Sequence, residues 1–182
     1  KSSALYTLQT KLLHCFLAKI SLPTCVIGFR RNESYKSYLS PHVGNTYFLR
    51  IDIKDFFPSI TDKLIASELA CVLSLNTPEE TDKIITLITD IVTRNGVLPQ
   101  GASTSPAISN IVMARIDQRI LKYCQVFDIT YTRYADDLLF SSPKFDFSQK
   151  KWFFKKIKYI LKSNNFRINH TKIKYAQKEI SL

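Results

Sequence analysis

With 182 residues, 45% of them hydrophobic and 23% charged, the chain is long enough to bury its own core and has the balance of a globular domain. Four glycines and seven prolines argue against long linkers. No apolar run nears the ~20 residues of a membrane span, and Lys1-Ser-Ser-Ala-Leu-Tyr6 is too weakly hydrophobic for a secretory signal. Twenty-six Lys and Arg against 15 Asp and Glu leave a net charge of +11, which favours a polyanionic partner, nucleic acid or an acidic membrane surface.

Cys15, Cys25, Cys71 and Cys124 show neither Cys-x-x-Cys nor Cys/His ligand spacing, so they read as reduced, mostly buried thiols of a cytoplasmic protein. His14, His42 and His170 are scattered and read as surface or core histidines.

From the N-terminus, Lys1 to Lys19 reads as a helix whose Leu5, Leu8, Leu12, Leu13, Phe16 and Ile20 form one apolar face. Lys1 in place of methionine suggests a start inside a longer protein. Cys25 to Phe29 is a short strand or extended link, followed by a polar turn carrying Arg30 and Arg31. Tyr35 to His42 has no clear assignment, though Pro41 argues against a helix continuing through it.

Tyr47 to Ile53 is a strand ending at Asp52 and Asp55. Thr61-Asp62 opens a helix with Leu64, Ile65, Leu69, Val72 and Leu73. The next helix starts with Thr77 as cap, Pro78 at its first position and Glu80 completing a capping box. Its expected buried face is Ile84, Ile85, Leu87, Ile88, Ile91 and Val92.

Asn95 to Pro106 is a loop, and Ser105-Pro106 begins a long helix with Ile108, Ile111, Val112, Ile116, Ile120 and Leu121 inward. Ile129–Tyr134 and Leu138–Ser142 read as a hairpin with Ala-Asp-Asp at its tip. Trp152 to Leu161 is an amphipathic helix with a basic face of Lys150, Lys151, Lys155, Lys156, Lys158 and Lys162. Phe166–Asn169 and Ile173–Ala176 are two short strands. The order predicts an α+β fold of the split β-α-β kind, a ferredoxin-like antiparallel sheet with packed helices.

Asp136 and Asp137 are adjacent like charges at a hairpin tip, where Asn-Gly or Asp-Gly would serve structure better. Such a pair makes sense beside a cation. If the strand ending at Asp52 neighbours the hairpin, three carboxylates meet at one sheet edge. Oxygen donors without nitrogen or sulfur partners favour Mg²⁺ or Mn²⁺ over zinc. Two such ions about 3.5–4 Å apart suit phosphoryl transfer, stabilising both attacking and leaving oxygens.

Ile51-Asp-Ile-Lys-Asp-Phe-Phe-Pro-Ser-Ile60, Leu98-Pro-Gln-Gly-Ala-Ser-Thr-Ser-Pro106 and Tyr131-Thr-Arg-Tyr-Ala-Asp-Asp137 resemble, in order and spacing, three motifs of reverse transcriptases. The resemblance runs from about Leu5 to Ala176 and is nearest the bacterial branch that includes the retron enzymes. It implies a polymerase right-hand palm with partial fingers. Residues 1–46 would be partial fingers, 47–60 palm, 61–106 fingers helices with a loop returning to the palm, and 107–182 palm. The first fingers strands and the thumb would lie outside this chain.

The resemblance also implies roles. Asp52, Asp136 and Asp137, with the main-chain carbonyl of Ile53, match the family's ligands for two Mg²⁺ ions, for which Mn²⁺ can substitute. Asp55 and Phe56 would offer main-chain N–H groups to the triphosphate, and Phe57 would collide with a 2′-hydroxyl and so select deoxynucleotides. Gln100 and Gly101 match residues beside the nucleotide, Gly101 letting backbone approach closely. Lys172 resembles a lysine that protonates the pyrophosphate leaving group. Arg30, with Arg31 beside it, resembles a template-phosphate contact. Ser105 would start the helix under the template, and Tyr134 would lie near the primer end.

The implied activity is RNA-directed DNA synthesis. Its partners would be an RNA template, such as a dedicated non-coding RNA, a DNA primer or product, deoxynucleotide triphosphates and an effector protein of phage defence, with no membrane. Where retron enzymes commonly carry an Asn-Ala pair three residues before a histidine, this chain reads Tyr38-Leu-Ser-Pro-His42, which leaves other bacterial defence-type reverse transcriptases open. Two other readings stay open here: a polymerase-derived nucleic-acid-binding module without activity as this fragment, and template-independent or protein-primed DNA synthesis.

Overall fold

A computed structural model describes residues 4–73 and 75–178. In chain order the elements are α1 (Ala4–Cys15), α2 (Tyr35–Leu39), β1 (Tyr47–Lys54), α3 (Phe56–Ser59), α4 (Asp62–Val72) and α5 (Pro78–Val92), then α6 (Ser105–Gln125), β2 (Thr130–Tyr134), β3 (Asp137–Ser142), α7 (Lys151–Lys162), β4 (Arg167–Ile168) and β5 (Lys174–Gln177). They divide into two compact units, Lys1–Leu22 with Phe56–Met113, and Pro23–Asp55 with Ala114–Leu182.

The first unit is helical among its described residues. Thr61 caps α4 by accepting from the Leu64 N–H, and Thr77 caps α5 by accepting from the Glu80 N–H with Pro78 at the first position. Asn95 and Gly96 both take positive φ (53° and 74°), which closes a tight turn between Arg94 and Val97. Val97 also bridges Thr61, and the Leu98 N–H donates to the Ile60 carbonyl, so the loop that follows starts from a fixed point.

Two expected apolar faces are only partly covered. Helix α1 stops at Cys15, and a separate 3-10 turn follows at Leu17–Lys19. Its buried side chain is Gln9, whose amide donates to the Ile91 carbonyl, while Leu5 and Leu8 stay 53% and 46% exposed. In α5 the covered stripe is Ile85, Ile88, Thr89 and Val92, and Ile84 and Leu87 are exposed. At 100° per residue the latter two lie about 90° or more from the centre of that stripe.

The second unit is built on a five-stranded sheet of order β2-β3-β1-β4 with every strand pair antiparallel. Strand β1 pairs with β3 from Tyr47↔Ser142 to Asp52↔Asp137. Its other edge is shared, β5 taking Tyr47 to Arg50 and β4 taking Ile53 and Lys54. Helix α6 falls between β1 and β2 and α7 between β3 and β4, which is the split β-α-β pattern. Cys25 to Phe29, expected as a short strand or extended link, instead consists of turns on either side of a single parallel bridge, Val26 to Arg133, and Phe29 takes φ 64°.

Alternation divides the sheet's side chains between two faces. Leu49, Ile51, Tyr131, Arg133, Leu138 and Phe140 share the face covered by helices. There the Tyr131 hydroxyl donates to Asp117 of α6 (2.8 Å), and the Phe140 ring meets Phe153 of α7. Arg50, Asp52, Thr132, Tyr134, Asp137, Leu139 and Ser141 share the opposite face, where Tyr38 of α2 packs on Leu139. Leu138, Leu139 and Phe140 are wholly buried, so β3 is the core strand.

Candidate active site at the carboxylate end of the sheet

Register places Asp52 directly across from Asp137, on one face, at the end where β1 parts from β3. Tyr134 pairs with Asp137, so Ala135 and Asp136 form a two-residue hairpin turn. Ala135 holds φ 56°, a left-handed conformation that costs a non-glycine residue about 1–2 kcal/mol. Surrounding contacts hold it. Arg133 Nη1 donates to the Ala135 carbonyl (2.9 Å), and the Ile53 N–H donates to the Asp136 carbonyl (2.9 Å). Gly28 lies so near that a Cβ there would meet Ala135 N at 2.5 Å.

The side chains of the three carboxylates have different surroundings. Buried Asp52 accepts from Lys172 Nζ through Oδ2 (2.9 Å). Asp137 is gripped by both arms of the Arg50 guanidinium, Nε at 2.8 Å from Oδ1 and Nη2 on Oδ2. Asp136 has no hydrogen-bonded cation among the described residues. Its carboxyl is raised above the usual range, first by burial and then by the negative charges of Asp52 and Asp137. Lys172 is raised in turn by its hydrogen bond to Asp52 and by that carboxylate's charge.

Among the described residues no three His, Cys, Asp or Glu side chains close into a cage around one point. Magnesium does not require one, because it is usually held by one or two carboxylates together with substrate phosphates and water. An all-oxygen donor set, with negative potential concentrated at Asp136, suits a hard divalent cation. Ile53, whose main chain adjoins this site, is buried and pairs with Ile168 of β4.

Behind the turn lies a buried ion pair that sequence reasoning missed. Arg133 and Asp117 are both 0% exposed and share Nε–Oδ1 (2.9 Å), Nε–Oδ2 (3.0 Å) and Nη2–Oδ2 (2.8 Å) contacts. Removing one partner of such a pair costs about 3–5 kcal/mol, because it strands the other charge. The Arg133 main chain also accepts from the Ile27 and Gly28 N–H groups and donates to the Cys25 carbonyl. One residue thus ties α6, the 25–28 segment and the carboxylate turn together.

His42 secures the hairpin from the other face. Nδ1 lies 2.6 Å from Ser141 Oγ and Nε2 2.7 Å from Thr132 Oγ1. Thr132 donates its only hydroxyl proton to the Tyr38 carbonyl (3.0 Å), so it must accept from Nε2–H. Nδ1 therefore accepts from Ser141. Burial lowers the His42 pKa to about 4, which keeps this tautomer neutral.

The remaining sequence-derived residues take several places. Tyr134 is half-buried among Tyr35, Tyr38 and Phe29. Arg30 folds back to donate to the Val26 carbonyl (3.1 Å), and Arg31 is exposed beside it. Asp55 is exposed at φ 51°. In the first unit, Phe56 is buried and Phe57 half-buried, with rings edge to face at 5.4 Å in the turn of α3. Gln100 and Gly101 are exposed, and Gly101 takes φ 90°. Ser105, expected to face a template, is 1% exposed and donates to the Pro99 carbonyl (2.6 Å), so its hydroxyl closes the Gln-Gly loop. Arg50 went unread although it stands two residues before Asp52 on the same strand face, a period-two signal.

A family profile described as reverse transcriptase (RNA-dependent DNA polymerase) matches residues 3–182. The retron Ec86 reverse transcriptase of Escherichia coli is 36% identical over 141 residues, covering 78% of this chain and 42% of that protein. The retron Mx65 reverse transcriptase of Myxococcus xanthus is 34% identical over 150 residues, covering 75% of this chain and 35% of its own length. The chain therefore spans less than half the length of these relatives. In fold it is similar to apo telomerase from Candida tropicalis, with a TM-score of 0.60 at 14% identity, over 97% of this chain and 35% of that one.

Proposed function

The chain belongs to the reverse transcriptase family, and from that premise we propose that the protein carrying it is a retron-type RNA-directed DNA polymerase. The observation that carries this reading is the meeting of Asp52, Asp136 and Asp137 at one sheet end, with the Asp136 carboxyl raised first by burial and then by its neighbours' charge. Asp52, Asp136 and Asp137, with the Ile53 carbonyl, would hold two divalent ions, Mg²⁺ or Mn²⁺. Bound there, the ions would lower the pKa of a primer 3′-hydroxyl and offset charge on departing pyrophosphate.

The protein's own groups supply the rest. Arg50 orients the Asp137 carboxylate from one side, and the Ala135 turn fixes where Asp136 points. Lys172 donates to Asp52 while its side chain is 61% exposed, and in this reading its ammonium gives a proton to the leaving group. In this reading Phe57 gates the sugar, Gln100 and Gly101 flank the nucleotide, and Asp55 and Phe56 offer main-chain N–H groups to the triphosphate. Tyr134 neighbours the primer end, and Arg30 and Arg31 meet template phosphates.

The test is Asp136→Asn in the full-length protein, on an RNA template with a DNA primer. Primer extension should vanish while thermal unfolding stays close to wild type. Full extension by a folded variant would end the assignment.

A further inference from the structure

The charge of this chain is unevenly shared. The first unit holds six Lys and Arg and six Asp and Glu, whereas the second holds twenty against nine, so the entire surplus lies in the second. Helix α7 is its densest part, reading Lys-Trp-Phe-Phe-Lys-Lys-Ile-Lys-Tyr-Ile-Leu-Lys without an acidic residue.

Phe153, Ile157, Ile160 and Leu161 are the buried face of α7. Lys151, Lys155, Lys158 and Lys162 are exposed and fall within about 60° of one another at 100° per residue, on the side turned away from that core. The stripe is about 16 Å long at 1.5 Å per residue. No carboxylate lies within ion-pair distance of Lys151, Lys155, Lys158 or Lys162 among the described residues. Neighbours three and four apart are all like charges, which weakens an isolated helix. Exposed α5 is different: it mixes signs and pairs Lys83 with Glu79 at 2.8 Å. A surface serving solubility alone needs no such sorting.

The stripe also lies away from the carboxylates. Helix α7 packs through Phe153 on the Phe140 face of the sheet, whereas Asp52 and Asp137 belong to the opposite face. A template held at the carboxylates is therefore not what these lysines meet.

We infer that Lys151, Lys155, Lys158 and Lys162 form a second nucleic-acid surface, which grips the phosphate backbone of duplex RNA on the far side of the sheet. The choice of RNA as occupant rests on the polymerase reading above; the surface itself does not. Lysine ammonium groups are point charges without base-reading geometry, and duplex RNA is recognised through shape, phosphates and 2′-hydroxyls. Binding should be indifferent to sequence and steeply dependent on salt.

The test replaces all four lysines by glutamine in the full-length protein. Affinity for a closed dumbbell RNA duplex, which has no 3′ end to extend, is measured by fluorescence anisotropy across a salt series. The variant should bind about 10²-fold more weakly near 0.1 M salt, with the log–log salt slope reduced by about 3 to 4. Primer extension on a short homopolymer template should be unchanged, and Asp136→Asn should bind the dumbbell like wild type. Loss of dumbbell binding in the glutamine variant upholds the surface even if wild-type protein extends no primer. Undiminished dumbbell binding overturns it, as does a variant that loses binding only to phosphatidylserine vesicles.

Discussion

Replacing Gly28 by alanine offers a sharp probe of how the carboxylate turn is held. A Cβ at this position would lie 2.5 Å from Ala135 N, 3.0 Å from Tyr134 Cα and 3.1 Å from the Tyr134 carbonyl carbon. Ordinary contact begins near 3.4 Å, so the methyl is about 0.9 Å too close, and all three atoms are main chain. The Gly28 side cannot easily retreat, because Cys25, Ile27 and Gly28 are hydrogen-bonded to Arg133. Relief must come largely from the turn, which carries Asp136 with it. A displacement near 1 Å at a reacting centre lowers the rate by about 10²-fold, and overpacking of this kind costs about 1–3 kcal/mol of stability. Single-turnover incorporation of one nucleotide by the full-length protein, beside urea unfolding, measures both. Gly44→Ala is the control. Gly44 takes φ 85° with nothing within 4 Å, so alanine there should lower stability and leave the rate alone. A Gly28→Ala rate within about twofold of wild type would refute the claim that this contact sets the turn.

Two further predictions address other parts of the chain. Phe57→Ala should admit ribonucleotides, raising their incorporation relative to deoxynucleotides in a single-nucleotide assay; unchanged discrimination removes the gate role. His42 is neutral in the fold with a pKa of about 4, against 6.5 in the unfolded chain. The unfolded state therefore binds more protons between those values, and about 3 kcal/mol of stability should be lost as pH falls from 6.5 to 4. Urea unfolding across that range should show the slope in wild type and a shallower one in His42→Gln; identical slopes would exclude His42 as its source.

Much of the candidate site was legible because its signals are local. A strand that ends at Asp52, a hairpin whose tip holds Asp136 and a loop that opens a helix at Ser105 each declare themselves within ten residues. The caps at Thr61 and Thr77 were equally plain, since capping is decided by neighbours in sequence. Periodicity failed where it had to find a partner. It marked Leu5, Leu8, Ile84 and Leu87 as apolar-face residues, but which part of a wide apolar face is covered depends on the helix beside it.

What the sequence by itself determined is the inventory: the order of elements, the split β-α-β frame, three carboxylates at strand ends and a basic helix without acids. Only the tertiary structure decided what those groups do to one another. Register set Arg50 against Asp137, and a contact across 120 positions brought Lys172 to Asp52. Packing of α6 on the sheet buried Arg133 with Asp117 behind the turn, and α7 carried its lysines to the face the carboxylates do not use. The physical reason is range. Capping, turns and strand ends are settled within a few bonds, whereas pairing of charges and exposure of a face depend on groups that only the closed chain brings together.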